Sequence, residues 1–341
     1  MTSRERLMKA VRFEATDRIP HFEQTFELSE EAFGLSMPTE AEMARATPKE
    51  RERLFARCAE VYARIAGTYR WDAVLVWNPV MDHTLLYEFI PFLKQYLGPD
   101  LPVGSFVWWA VLCIDTVRDY TQFAVDLYES PEKLHGWAEK LAKAAIEHAN
   151  RLGEAGCDLV DVGSDMAYNA GPFISPAHFS EFVTPYLKRV IAAAKQQVPL
   201  VILHSDGNLM PVLDQILETA PHALQSIDPM AGMDIAEVKR RTFGKMALMG
   251  NVQCDRLQTG PDEAIVRSAE YCLTHGAPGG GYIFSSSNTI FKGVPLRNYE
   301  RMLEVLQRHA AGAGLTPDPG CAMSLPRGEE DGAATNRRER K

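Results

Sequence analysis

The stretch Val198-Pro199-Leu200-Val201-Ile202-Leu203-His204-Ser205-Asp206-Gly207-Asn208 decides the fold. Leu200–Leu203 are apolar at every position, which suits a strand covered on both faces inside a parallel sheet. The run then stops on His204, Ser205, Asp206 and Asn208. Polar residues gathered at the C-terminal end of such a strand have no packing duty there, and that end is where α/β folds build their sites. The stretch therefore reads as a central strand that delivers side chains to chemistry.

Working outward, seven further runs of this kind appear at 19–23, 73–77, 103–112, 159–162, 223–227, 246–249 and 282–284. From Leu159 onward helical patterns follow the runs, over 179–194, 209–218, 235–241, 263–275 and 296–309. Strands alternating with helices over short links demand a parallel sheet. Eight strands closing on themselves predict an α/β fold, a single (β/α)8 TIM barrel. A doubly wound open sheet would need a glycine-rich turn after its first strand, where Glu23-Gln24-Thr25-Phe26 stands instead. The third run is ambiguous, since Phe106–Ala110 also suits a buried helix. A helix is expected around 3–11, and 29–70 and 81–102 read as N-terminal helical insertions. The barrel is expected over 1–312, with a disordered tail over 313–341 that is poor in apolar residues.

Composition sets outer limits. The 341 residues are 46% hydrophobic and 24% charged, enough for a sizeable core, and carry a formal charge of −9. Nucleic-acid binding needs a basic field that this chain lacks. The N-terminal residues form an amphipathic helix rather than an apolar signal core, and no apolar stretch reaches membrane-spanning length. A cytoplasmic protein with no membrane partner is expected. The six cysteines show no CxxC pairing and read as reduced core thiols, Cys254 among them.

Ordering the polar residues by strand end produces one ring: Glu23 and Glu27, Asn78, Asp165 and Tyr168, His204 with Asp206 and Asn208, Asp228, Asn251 and Gln253, then Ser285–Asn288. In a barrel these converge on a single bowl. His204 alone would suit a neutral core histidine, but Asp206 and Asn208 after it favour a site. Asn208 equally suits a helix cap ahead of Leu209, Asn251 a turn, and the Trp108-Trp109 pair the core. Asp165 with Tyr168 places an acid beside a second proton donor, and Glu23 between aromatics is costly to bury unless it is used. Gly279–Gly281 permits close backbone approach and would suit a phosphate nest.

With these residues in view, the chain resembles the uroporphyrinogen decarboxylase superfamily. The resemblance is carried by Val162-Gly163-Ser164-Asp165, Ile174-Ser175-Pro176, Phe182-Val183-Thr184-Pro185-Tyr186, His204-Ser205-Asp206-Gly207-Asn208, Gly250-Asn251-Val252 and Gly279-Gly280-Gly281-Tyr282-Ile283, in order over roughly 5–312. It implies the same barrel, a small-molecule substrate, and a homodimer pairing the barrel mouths. The superfamily holds both tetrapyrrole decarboxylases and cobamide-dependent methyltransferases, so the chemistry must come from the site.

A decarboxylase of this kind meets its polycarboxylate with an arginine-rich segment after the first strand and an aspartate after the second. Here His21-Phe22-Glu23-Gln24-Thr25-Phe26-Glu27 presents acids, and Asn78 stands at the likely counterpart of the aspartate. The methyltransferases resemble this chain more closely; there zinc sits on a His-x-Cys pair and a later cysteine. His204 matches the histidine, Asp206 stands at the first cysteine, and Asn288, beside Ser287, stands at the second. A His/Asp set is harder than a thiolate set and suits polarising an oxygen better than activating sulfur.

The expectation is therefore a methyltransferase moving a methyl group from an O- or N-methyl donor to a corrinoid carried by a partner protein. Catalytic candidates are His204, Asp206, Asp165, Tyr168, Glu23 and Asn288. Asn78, Asn208, Asn251 and Ser287 are expected to bind cofactor, and His204 and Asp206 to hold zinc. A decarboxylase or lyase acting on a tetrapyrrole or a smaller carboxylate, and a non-catalytic binding barrel, are the alternatives.

Overall fold

A computed structural model describes residues 1–77 and 83–310. Asn78 and the expected tail over 313–341 lie outside the described residues. Seven parallel strands form one curled sheet in the order β1 (Val74–Val76), β2 (Val103–Trp108), β3 (Leu159–Gly163), β6 (Leu200–His204), β7 (Ala223–Gln225), β8 (Ala247–Val252) and β9 (Tyr282–Ser286). A two-stranded antiparallel hairpin, β4 (Ala167–Tyr168) and β5 (Gly171–Pro172), rises from the end of β3. The fold is the expected α/β, TIM-barrel-like architecture with helices wrapped outside the sheet.

The place of the eighth strand is taken by isolated bridges, His21 to Phe284 and, past the end of β9, Phe26 to Ile290. His21 pairs with Phe284 of β9, the Phe284 N–H donates to Pro20 O at 2.9 Å, and on the other side Asp72 N–H donates to His21 O at 2.7 Å. The expected strand over 19–23 does not extend because Pro20 has no N–H, and the His21 N–H is taken by the Asp72 carboxylate at 2.9 Å instead of by a ladder. That same carboxylate, fully buried, meets Arg6 at 2.5 Å and Arg18 at 2.7 Å. The N-terminal helix Ser3–Val11, capped by Thr2 and Glu5, is thereby tied to the seam that closes the barrel.

Other boundaries have local causes. The third run is a strand but stops at Trp108, where Trp109 adopts a left-handed backbone with φ of 55°. The run over 223–227 is a strand only to Gln225, because Ser226 and Ile227 both take positive φ. The helix expected over 179–194 is two, Pro176–Phe182 and Thr184–Gln197. Helices Ser29–Phe33, Glu40–Arg45, Pro48–Tyr69 and His83–Leu97 fill the regions read as insertions.

Gly279–Gly281 lie at the N-terminal end of β9, opposite the strand ends that carry the polar ring, which sets aside the phosphate nest. All three have positive φ, and carbonyls of this turn serve a lysine: Lys239 Nζ donates to Gly280 O, to Gly281 O and, at 2.8 Å, to Gly276 O. A Cβ on Gly281 would collide with the Phe13 ring, so the close approach is structural. Among the described residues no helix is long and apolar enough to cross a membrane.

Candidate functional site

Strand register assembles the site. Trp108, Gly163, His204 and Gln225 are cross-strand partners in one layer near the C-terminal ends of β2, β3, β6 and β7. Gly163 must be glycine here, because a Cβ would enter the Trp108 ring. That ring stands edge-on to the His204 imidazole with centroids 5.8 Å apart. His204 is 4% exposed and is held at both nitrogens. Nδ1 meets Gln225 Oε1, and Nε2 lies 3.5 Å from Asp165 Oδ1. The Gln225 carbonyl oxygen can only accept, so it fixes a proton on Nδ1 and aims Nε2 at the acids.

Asp206 is placed by the turn that follows. Its N–H donates to Asp165 Oδ1 at 2.9 Å, Ser226 Oγ donates to its Oδ1 at 2.6 Å, and Asn288 Nδ2 donates to its Oδ2. Gly207, with φ of 84°, passes so close beneath Ala167 that a Cβ would strike the Ala167 carbonyl. This tight passage is what lets β6 turn under the hairpin and bring Asp206 against Asp165. One ligand atom each from Asp165, His204 and Asp206 lies within 4.8 Å of the others, a spacing able to hold a metal ion. Beside Asp206 the bowl encloses about 330 Å³ between Asp228, Cys254, Asp255, Ser287 and Asn288.

Electrostatics follow from burial and from the crowd of acids. Burial disfavours a charged His204, yet the carboxylates of Asp206, Asp161 and Asp165 and the Gln225 acceptor outweigh it and raise its pKa. Burial raises Asp206, against the pull of His204 and the Ser226 hydroxyl. Asp161, in β3 one layer deeper, is 0% exposed and is pushed up to about 6 by burial. It accepts from Gln24 at 2.6 Å through one oxygen, while its Oδ1 has no partner among the described residues.

The expected residues divide. His204, Asp206, Asp165 and Asn288 meet as one constellation, and Ser287 lines the same bowl while accepting the Cys254 N–H at 3.3 Å. Tyr168 sits on the rim, 48% exposed, its hydroxyl donating to Tyr120 Oη at 2.9 Å. Glu23 is fully buried and accepts from Ser286 N–H at 2.9 Å and Oγ at 2.7 Å. Among the described residues no hydrogen bond joins it to the His204 group, and burial pushes it up to about 8. Asn208 caps the following turn, its Oδ1 accepting from Met210 N–H at 3.0 Å. Asn251 spends both ends of its amide on the fold, donating to Ile227 O at 2.7 Å and accepting from Cys272 Sγ. Gln225, Ser226 and Asp161 are the residues sequence reading passed over. Their signal was present: each is polar within a run otherwise suited to a buried strand.

Against known proteins, the sequence profile described as uroporphyrinogen decarboxylase (URO-D) matches residues 70–309. The chain belongs to the uroporphyrinogen decarboxylase family. It is 23% identical over 253 residues to the uroporphyrinogen decarboxylase of Coxiella burnetii (strain Dugway 5J108-111), covering 71% of this chain and 63% of that one. To that of Cupriavidus necator it is 28% identical over 204 residues, covering 56% of this chain and 52% of the relative. The chain thus spans less than two thirds of the length of these relatives. Among solved structures, a methyltransferase from Methanosarcina mazei superposes with a TM-score of 0.73 at 18% identity, covering 91% of this chain and 99% of that one. This likeness is one of fold.

Proposed function

We propose that this member of the uroporphyrinogen decarboxylase family is a methyltransferase that moves a methyl group from an oxygen- or nitrogen-bound donor to a corrinoid on a partner protein. The observation that carries the reading is the donor set at the barrel mouth: one imidazole and two carboxylates, Asp165, His204 and Asp206, with a bowl open beside them. The same acids weigh against an octacarboxylate substrate, which needs guanidinium partners.

The residues fit a divalent cation such as zinc. His204 offers Nε2 because Gln225 holds Nδ1, and each carboxylate oxygen of Asp206 keeps a free lone pair beyond its single hydrogen bond. A cation held by Asp165, His204 and Asp206 would supply Lewis acidity toward the donor heteroatom. The chain's own groups do the rest. Ser226 and Asn288 fix the Asp206 carboxylate from both sides, and the Trp108 ring walls off one flank of His204. In the reaction the bond between methyl carbon and heteroatom breaks with its electron pair leaving on the heteroatom, and the methyl carbon bonds to the electron pair of cob(I)amide.

The test is absorbance spectroscopy of free cob(I)alamin with the purified protein and a panel of methyl ethers and methylamines. Conversion to methylcobalamin that is lost in Asp206→Ala supports the reading. No conversion with any donor, in protein shown to be folded and metal-loaded, overturns it.

A further inference from the structure

Beside the bowl, at the same end of the barrel, lies a second cavity of about 580 Å³ to which the reading above assigns nothing. Its walls are aromatic, from Trp109, Phe123 and Trp137, and its polar lining includes Asp115, Arg118 and Asp119. Trp109 is 57% exposed and holds a left-handed backbone. A bulky residue in that conformation is strained, and an indole left in water gains nothing by packing to offset it. Strain of this kind, spent on presenting an aromatic face to a cavity, points to a ligand.

The charges say which ligand. The side chains of Asp115 and Arg118 have no hydrogen-bond or ion-pair partner among the described residues, whereas Lys133 and Asp126 of the same cavity neutralise each other at 2.5 Å. An indole face with a nearby carboxylate attracts a cation, most strongly one whose methyl groups make it poorly hydrated. A free guanidinium recognises a carboxylate. The cavity is tied to the reactive end through its neighbours in the chain: Trp109 follows Trp108, whose ring stands edge-on to His204, and Ile114, next to Asp115, donates its N–H to Asp165 O at 2.9 Å.

We propose that this cavity binds an N-methylated amino-acid zwitterion, with its methylated ammonium against Trp109 and Asp115 and its carboxylate on Arg118. The zwitterion is a ligand of this cavity and not the donor activated at Asp165, His204 and Asp206, because its ammonium nitrogen has no lone pair to offer a Lewis-acidic cation, and the test does not use turnover. Calorimetry on the full chain compares trimethylglycine with 3,3-dimethylbutanoate, which has the same shape without the positive charge, and with choline, which lacks the carboxylate. Trimethylglycine binds at least tenfold more tightly than either. Trp109→Leu weakens it at least fivefold, and Arg118→Gln abolishes the preference over choline. Binding of 3,3-dimethylbutanoate as tight as trimethylglycine, an unchanged preference in Arg118→Gln, or no binding of trimethylglycine overturns the proposal. Binding here together with no methyl transfer to cob(I)alamin from any donor of the panel would instead overturn the function and leave the cavity's role standing. Transfer from neutral ethers without binding would do the reverse.

Discussion

Because Gln225 Oε1 accepts from Nδ1 of His204, the imidazole has one nitrogen to spend, and it spends it toward Asp165 and Asp206. Losing an outer partner of this kind costs about 10–100-fold in metal affinity, so Gln225→Leu should weaken zinc binding by that range while Gln225→Glu keeps it. Chelator competition measures this, and equal affinity in wild type and Gln225→Leu would show that Gln225 does not position the ring. Glu23 makes a different prediction. Its folded pKa of about 8 stands above the ordinary carboxylic value of roughly 4.3, so the folded protein holds a proton that the unfolded chain releases. Its contribution to stability is therefore full below pH ~4, is lost progressively as pH rises toward 8, and then levels. Glu23→Gln should flatten that decline in urea denaturation between pH 5 and 8. An unchanged pH profile would place the proton elsewhere. Gln225 was marked in the sequence only as a polar residue in an apolar run, and neither its pairing with His204 nor the separation of Glu23 from that group could be read there, because strand-end polarity does not reveal which face of a shortened strand a side chain takes.

At the scale of elements, the barrel depends on a seam rather than an eighth strand. Asp72 binds Arg6, Arg18 and the His21 N–H together, with no exposure to water. Removing Asp72 leaves Arg18 without its carboxylate and Arg6 with Asp17 alone, and breaking a buried charge network costs about 3–5 kcal/mol. Asp72→Ala should lose stability by that amount in urea denaturation, and a loss below ~1 kcal/mol would mean the seam is held by packing alone. Lys239 plays a similar part at the same N-terminal end of the strands, holding the carbonyls of Gly276 and Gly281 before β9. The runs that became strands were legible because each is mostly apolar on both faces. Their ends were not, since Pro20, Trp109 and Ser226–Ile227 stop the ladder through backbone geometry that apolar patterning does not encode. The hairpin β4–β5 was missed for a related reason: two residues per strand leave no alternation to read.

For the whole molecule, strand order places His204, Asp206, Asp165 and Asn288 in one bowl although they are spread over 124 positions of chain, from Asp165 to Asn288. That convergence was legible once a barrel was inferred, because every barrel strand presents its C-terminal end to the same mouth. What the sequence left open was which ring members touch. Tyr168, Asn208 and Asn251 share the mouth or its supports but are engaged by Tyr120, Met210 and Cys272. The central claim is that the mouth holds a divalent cation on the harder donor set of Asp165, His204 and Asp206 in place of thiolates. Metal analysis of the protein equilibrated with zinc and then desalted tests it most directly. The account predicts about one zinc per chain, lost in His204→Ala and in Asp206→Ala without loss of fold. Wild-type protein that stays metal-free, or variants that retain full stoichiometry, would contradict it.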